Sequence, residues 1–306
     1  MSMAENVRIL TVENEHVRVQ VIPRLGGKIC SLLDKKTGYE CFFQNPKGEY
    51  AAPALYDGFA DYDASGFDDA FPNIDETWTE ISGRRVHFPD HGEVWTMPMT
   101  AEKEESAISL HGEGRVFQYA YHKRVEAQER GMRVRYRIRN TGAEPMPFFW
   151  TLHGLVNVDE QTRLILPQSP AQAENVFAGG DLGELGAILD VNGGEIDLRA
   201  MPKCSATAMR KYYLAGKVSE GLCGYEFPQH GLKLMIRWDE KILPYLGMWC
   251  TMGGFRGDVN AALEPSSAYF DSVDTALARG TLPMMEPGEE VAFNLHFSLE
   301  DLGGGV

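Results

Sequence analysis

The run GMRVRYRIRN (Gly131–Asn140) decides the fold class. Met132, Val134, Tyr136 and Ile138 alternate with Arg133, Arg135, Arg137 and Arg139, so every second side chain is apolar. Successive strand side chains point to opposite faces. A period of two therefore describes an antiparallel strand with one face on a core and the other in water. The same alternation runs through HVRVQVIP (16–23), RVFQYAYHKRVEA (115–127), GLKLMIRWD (231–239) and EVAFNLHFSLE (290–300). Turn signals separate the runs at Thr141-Gly142, Gly193-Gly194 and Glu286-Pro287-Gly288. Many strands at this spacing predict an all-β chain built as a large antiparallel β-sandwich. Helical periodicity is weak, and short helical turns are expected only near Asp68 to Phe71 and Ala276 to Ala278. No repeat, linker or low-complexity tract divides the 306 residues, so one domain over 1–306 is expected. The ending LGGGV (302–306) reads as a frayed tail.

Composition narrows the partners. The net charge is −15, with acidic and basic residues mixed along the chain. Nucleic-acid binding needs a basic surface to neutralise phosphates, and none is encoded. The acidity also argues against anionic membranes, and no apolar run has the length of a bilayer span. The start, MSMAENVRIL, lacks the basic residues and apolar run of a signal peptide. Five scattered cysteines form no CxxC pair and suggest neither a disulfide framework nor a zinc knuckle. These features predict a reduced, cytoplasmic protein, and no motif sets its oligomeric state.

Three polar segments stand out among the strands: PDHGEVW (89–95), WTLHGLVNV (150–158) and AALEPSS (261–267). They carry His91, His153 and Glu264. An imidazole and a carboxylate form a workable proton donor and acceptor at neutral pH. His153 lies between Leu152 and Leu155, which equally describes a half-buried strand residue bonded to backbone. Gly154 beside it permits a bulge or a close backbone approach by a ligand. Pro265 cannot donate to a sheet ladder, so the Glu264 strand is expected to end there. Alone, Glu264 also fits a surface turn. His87 and His91 have the i, i+4 spacing of a helical zinc site, but Pro89 between them opposes a helix, and no third ligand is evident. A loop histidine donating to a substrate hydroxyl fits His91 better, and no metal is expected.

The segment GFDDAFPNIDETW (66–78) is acidic and aromatic. It describes either a solvated loop or the lining of a sugar pocket, where rings stack on pyranose CH groups and carboxylates take hydroxyls. On the second reading Asp69 and Phe71 are substrate-binding candidates. Trp249, in LPYLGMWC (243–250), offers another stacking face or a core position. Arg84, beside Arg85, is a candidate for an anionic group. No P-loop, GxGxxG, GxSxG or HExxH is present.

Taken in order, these segments resemble the aldose 1-epimerase (galactose mutarotase-like) superfamily. VIPRLGGKICSLLDKKTGYE (21–40) looks like its opening hairpin, and DHGEVW like its HG segment. TLHGLVNV is similar to the segment bearing its acid histidine, and VNAALEPSS (259–267) to the strand bearing its base glutamate. LPMMEPGEEVAFNLHFSLE (282–300) resembles the closing turn and last strand. The resemblance implies a β-supersandwich with a sugar site on one face. It also implies a general acid at His153, a general base at Glu264, a hydroxyl-binding His91, and no metal or organic cofactor. Ionised Glu264 then takes the anomeric proton while protonated His153 donates to the ring oxygen. The family's sugar-binding aspartate has no counterpart in MRKYYLAG (209–216), where Lys211 or Tyr212 substitutes. Trp95 stands where the phosphohexose branch carries an arginine; Arg84 or Arg85 is left to restore a phosphate site. The expected activity is interconversion of the anomers of a free aldose. A hexose-phosphate 1-epimerase and a non-catalytic carbohydrate-binding protein are the alternatives, with a lyase using Tyr212 and Arg210 behind them.

Overall fold

The computed structural model describes residues 7–303, so Gly304 to Val306 of the tail lie outside the described residues. The alternating runs become strands. Gly131–Asn140 pairs along its whole length with Tyr119–Gln128 on one side and Glu290–Asp301 on the other. These three belong to an eight-stranded sheet with Leu232–Arg237, Leu222–Phe227 and Arg163–Ile165 beyond Glu290–Asp301. Ala107–Glu113 and Thr100–Lys103 follow at the other end. Met132, Val134, Tyr136 and Ile138 are buried, and the alternate arginines are not, as the period of two requires.

The second sheet has eleven strands. Its centre runs Lys28–Asp34, Phe67–Ala70, Thr151–Gly154, Val259–Ser266, Tyr245–Met252, Met209–Leu214. Neighbours in this order come from distant parts of the sequence, so the sheet gathers segments that no local pattern links. One apolar cluster lies between the two sheets and takes residues from both, among them Ile29, Phe67, Leu263, Val134 and Phe297. The only α-helix among the described residues is Val273–Ala278, in the region where a helical turn is expected.

Two expectations are corrected here. Asp68 to Phe71 is not a helical turn, because Phe67–Ala70 pairs in register with Thr151–Gly154. Nor does the Glu264 strand end at Pro265; it runs on to Ser266, with Pro265 opposite Leu246. The edge toward which Pro265 points has no paired rung between Ala261 and Ser266. On that edge the Leu263 N–H donates to the Tyr225 hydroxyl, and the N–H that proline lacks breaks no rung of the ladder.

The intersheet layer holds a charged pair. Lys123 Nζ lies 2.9 Å from Asp69, both side chains are wholly buried, and the Tyr136 hydroxyl donates to the same carboxylate at 2.8 Å. The ammonium also sits 4.7 Å from the centre of the Phe67 ring. Asp69 and Phe71, both expected at a sugar, are core residues here, with no exposed surface. Removing one partner of such a pair strands a buried charge and costs about 3–5 kcal/mol. Asp69→Asn is therefore expected to lower unfolding stability by roughly that amount while leaving the affinity for any sugar unchanged. Urea unfolding and calorimetric titration check the two halves; weakened sugar binding at unchanged stability contradicts the placement.

Candidate functional site

Strand register builds the site. Thr151 pairs with Ser266, and Val156 with Ala261. Counting inward from both pairs sets His153 opposite Glu264. His153 pairs with Asp68 on its other side, Glu264 with Gly247, and Gly247 with Tyr213. Cross-strand partners share a face. Asp68, His153, Glu264 and Tyr213 therefore form one polar row across the sheet, on the face turned from the main core. The next row is Leu155, Ala262, Trp249 and Lys211. A separate apolar cluster covers this face, with Phe59, Ala64, Trp95, Leu155 and Ala262.

A cavity of about 300 Å³ lies over these rows. His91, His153, Lys211 and Trp249 line it together with Asp75, Asp258, Asn260 and Asp271. His91 arrives on a tight turn in which both His91 (φ 56°) and Gly92 (φ 72°) are left-handed. A side chain at Gly92 would collide with the Phe71 carbonyl, so glycine is required there. The Glu93 carboxylate pins the turn by accepting the backbone N–H of Arg115 at 2.7 Å. His91 Nδ1 shares a hydrogen bond with Asp90 at 2.7 Å. Its ring stacks on Phe59, centroids 4.1 Å apart, and meets His153 edge to face at 4.7 Å.

Glu264 sits immediately behind the cavity wall, with no exposed surface and no hydrogen-bond partner for either carboxylate oxygen. Burial pushes its carboxyl up to about 7, against the opposing pull of Lys211, whose Nζ is 3.8 Å away. Gly247 makes this position possible, since a Cβ there would stand 3.0 Å from both Glu264 Oε2 and the Tyr213 ring. Burial alone would discharge Lys211, but Asp271, Glu264 and Asp75 outweigh it and hold the ammonium charged. Asp271 takes Lys211 at 2.8 Å and the Tyr213 hydroxyl at 2.7 Å.

His153 is buried, and its Nδ1 has no hydrogen-bond partner. Burial drives its pKa well below the usual histidine range, and the charges of His91, Lys211 and Lys28 add to the effect. Lys28, held by Asp68 at 2.6 Å and Asp63 at 3.2 Å, continues the polar row on the far side. Burial thus favours the neutral imidazole, against the protonated His153 that the resemblance implies. Burial makes the Glu264 carboxyl, pushed up to about 7, the stronger holder of a proton in the pair.

The structure brings His91, His153, Lys211 and Trp249 to one cavity and Glu264 directly behind it. It removes the others. Arg84 lies on a separate hairpin, Thr77–Ile81 with Arg84–Phe88, where it packs over Phe117 and lines a different pocket. Tyr212 is a core residue donating to the Leu198 carbonyl, and Arg210 is held by Asp181, so neither reaches the cavity. His87 stacks between Tyr56 and Trp78 and bonds Glu76, apart from His91 and its partner Asp90. Sequence reasoning missed Asp75, Asp90, Asp258, Asn260, Asp271 and Phe59. Asp90 adjoins His91, and Asp75 falls within the acidic aromatic segment; Asp258 and Asp271 flank the Glu264 strand without any pattern of their own.

Comparison with known proteins agrees with this architecture. Residues 1–79 match the family model of a domain of unknown function, DUF5107. No curated protein matches the chain. Among solved structures, a protein from Escherichia coli K12, assigned by name alone to the aldose 1-epimerases, superposes with a TM-score of 0.75 at 18% identity. That match covers 97% of this chain and 100% of the other. The fold is galactose mutarotase-like. A galactose mutarotase-like protein from Lactobacillus casei superposes at TM-score 0.72 and 16% identity, covering 96% and 100% of the two chains. A galactose mutarotase related enzyme from Lactobacillus acidophilus gives 0.70 at 15%, covering 98% and 99%. Among the described residues no helix is long and apolar enough to cross a membrane.

The raised Glu264 carboxyl links to stability. The folded state keeps this proton between the unfolded value, near 4.5, and about 7, where the unfolded chain has lost it. Stability is therefore lost as pH rises through that window. Glu264→Gln removes the penalty, so its stability relative to the parent is expected to grow by about 1–3 kcal/mol between pH 5 and pH 8. Urea unfolding at the two pH values measures this, and a constant difference contradicts it.

Proposed function

We propose that the chain is an aldose 1-epimerase, working as one unit that interconverts the α and β anomers of a free sugar. The observation that carries this reading is the register that sets His153 opposite Glu264 at a sugar-sized cavity, with His153 Nδ1 and both Glu264 carboxylate oxygens lacking hydrogen-bond partners. Buried polar atoms are seldom left unpaired, and a substrate hydroxyl supplies what is missing.

The pair carries one mobile proton. Burial favours it on Glu264, with His153 neutral. Binding favours the other arrangement. The anomeric hydroxyl donates to Glu264 and stabilises its ionised form; the ring oxygen accepts from His153 and favours its protonated form. Glu264 then takes the anomeric proton as His153 protonates the ring oxygen, the C1–O5 bond breaks, and the open aldehyde forms. Rotation about C1–C2 presents either carbonyl face. On closure the 5-hydroxyl returns its proton to His153, Glu264 returns its proton to the new anomeric oxygen, and the residues end as they began. Each transfer contributes about 10²–10⁴-fold. His91, fixed by Asp90 and Phe59, and Lys211, fixed by Asp271, are placed to orient hydroxyls.

Relaxation of freshly dissolved α-glucose and α-galactose, followed by polarimetry or NMR, tests the reading. Glu264→Gln and His153→Ala are each expected to lower kcat/KM by about 10²-fold or more. Either variant at parental rate would refute its role. Sugar binding without faster exchange in the parent would leave a carbohydrate-binding protein of this fold.

The pH profile follows from the shared proton. Above about 7 the free pair loses it. The predicted kcat/KM is flat below neutrality and falls about tenfold per pH unit above it. A rise through neutrality contradicts the shared proton.

The lining also bears on phosphate. Four aspartates, Asp75, Asp90, Asp258 and Asp271, face a single lysine that Asp271 already holds. Glucose 6-phosphate is therefore expected to relax at least about tenfold more slowly than glucose. The reverse preference in the same assay favours a hexose-phosphate 1-epimerase.

A further inference from the structure

The far end of the cavity has its own orphaned acceptors. Asp258, Asn260, Ala262 and Glu264 alternate along the chain, and the last three belong to the central strand Val259–Ser266. Alternate strand residues share a face. At about 3.3 Å per residue, Asn260 lies about 13 Å along the strand from Glu264. Both Asn260 and Asp258 line the same cavity as His153. Asn260 is 2% exposed, and its Oδ1 has no hydrogen-bond partner. Asp258 Oδ2 is likewise buried without one, although Arg256 Nε stands 3.5 Å from it.

A monosaccharide held at His153 and Glu264 does not span this length. Between the two ends Trp249 sits opposite Ala262, the smallest side chain of the row. Phe255 and Phe177 meet the Trp249 ring edge-on, at 6.1 Å and 6.2 Å between centroids. Rings at that position suit the CH face of a second pyranose, and unpaired acceptors beyond them suit its hydroxyl donors. A negatively charged unit would meet Asp258, and the neighbouring Arg256 is already engaged by Asp258 and by the Ala60 and Tyr62 carbonyls, so the second unit is neutral.

We propose that Asp258 and Asn260 form a second subsite, and that the substrate is a neutral reducing disaccharide whose reducing unit lies at His153 and Glu264. This rests on the epimerase reading for the first unit alone. The second subsite is a matter of binding and can be tested without turnover.

Anomer exchange is measured for glucose and for lactose, cellobiose and maltose, all of which have glucose as the reducing unit. The expected result is that at least one disaccharide exceeds glucose in kcat/KM by about tenfold. Asn260→Ala and Asp258→Asn, each checked by thermal melting, are expected to reduce that ratio about fivefold or more. A ratio at or below one for all three sugars, or a ratio that survives both substitutions, overturns the proposal. If no sugar is turned over, the epimerase reading fails by itself. Calorimetry on Glu264→Gln then decides the subsite: tighter disaccharide than glucose binding that Asn260→Ala abolishes supports it, and equal binding of the two sugars overturns it.

Discussion

A carboxyl group folded into a sheet with nothing to hydrogen-bond it is the constraint on which the rest of this face depends. Glu264 is placed by register, between a histidine on one strand and a bare glycine on the next. A buried polar group without a partner costs about 1–3 kcal/mol, and the fold has to supply that from elsewhere. It does so through a continuous core between two large sheets, with Tyr119, Tyr121, Tyr136 and Trp150 among its fully buried side chains. The rigidity of antiparallel pairing then keeps the carboxyl from finding a partner of its own. Pro265 belongs to the same arrangement, since it sits where the ladder toward the His153 strand is unpaired.

Charge is balanced across this face. Lys28 and Lys211 lie at opposite ends of the polar region, the first clamped by Asp63 and Asp68 and the second by Asp271. They hold carboxylates in place while pushing the proton away from His153. Phe59 lies against both histidines and shields them from water. On the proposed epimerase reading, a neutral imidazole beside a carboxyl near neutrality forms a pair whose single proton moves between the partners during ring opening.

The fold class was legible because period-two alternation is a local signal, and the long strands around Gly131–Asn140 carry it without interruption. Phe67–Ala70 was illegible for the opposite reason. Asp69 occupies an inward position that a strand pattern would fill with an apolar residue, and its partner Lys123 lies 54 residues away. Reading GFDDAFPNIDETW as a sugar wall misplaced Asp69 and Phe71 on the same point, since a carboxylate can be buried for a core cation as readily as for a hydroxyl, whereas Ile74 and Asp75 of that segment do line the cavity. His91, His153 and Glu264 were legible because each interrupts a regular pattern and because their order resembles a known family. Asp258 and Asp271 carry no such mark, since only the meeting of distant strands makes them neighbours.

The most direct measurement is a crystal structure of the protein with a reducing sugar bound. The account predicts the anomeric oxygen within hydrogen-bond distance of Glu264 and the ring oxygen within the same distance of His153. A sugar bound elsewhere, or one in the cavity that leaves Glu264 still without a partner, contradicts it.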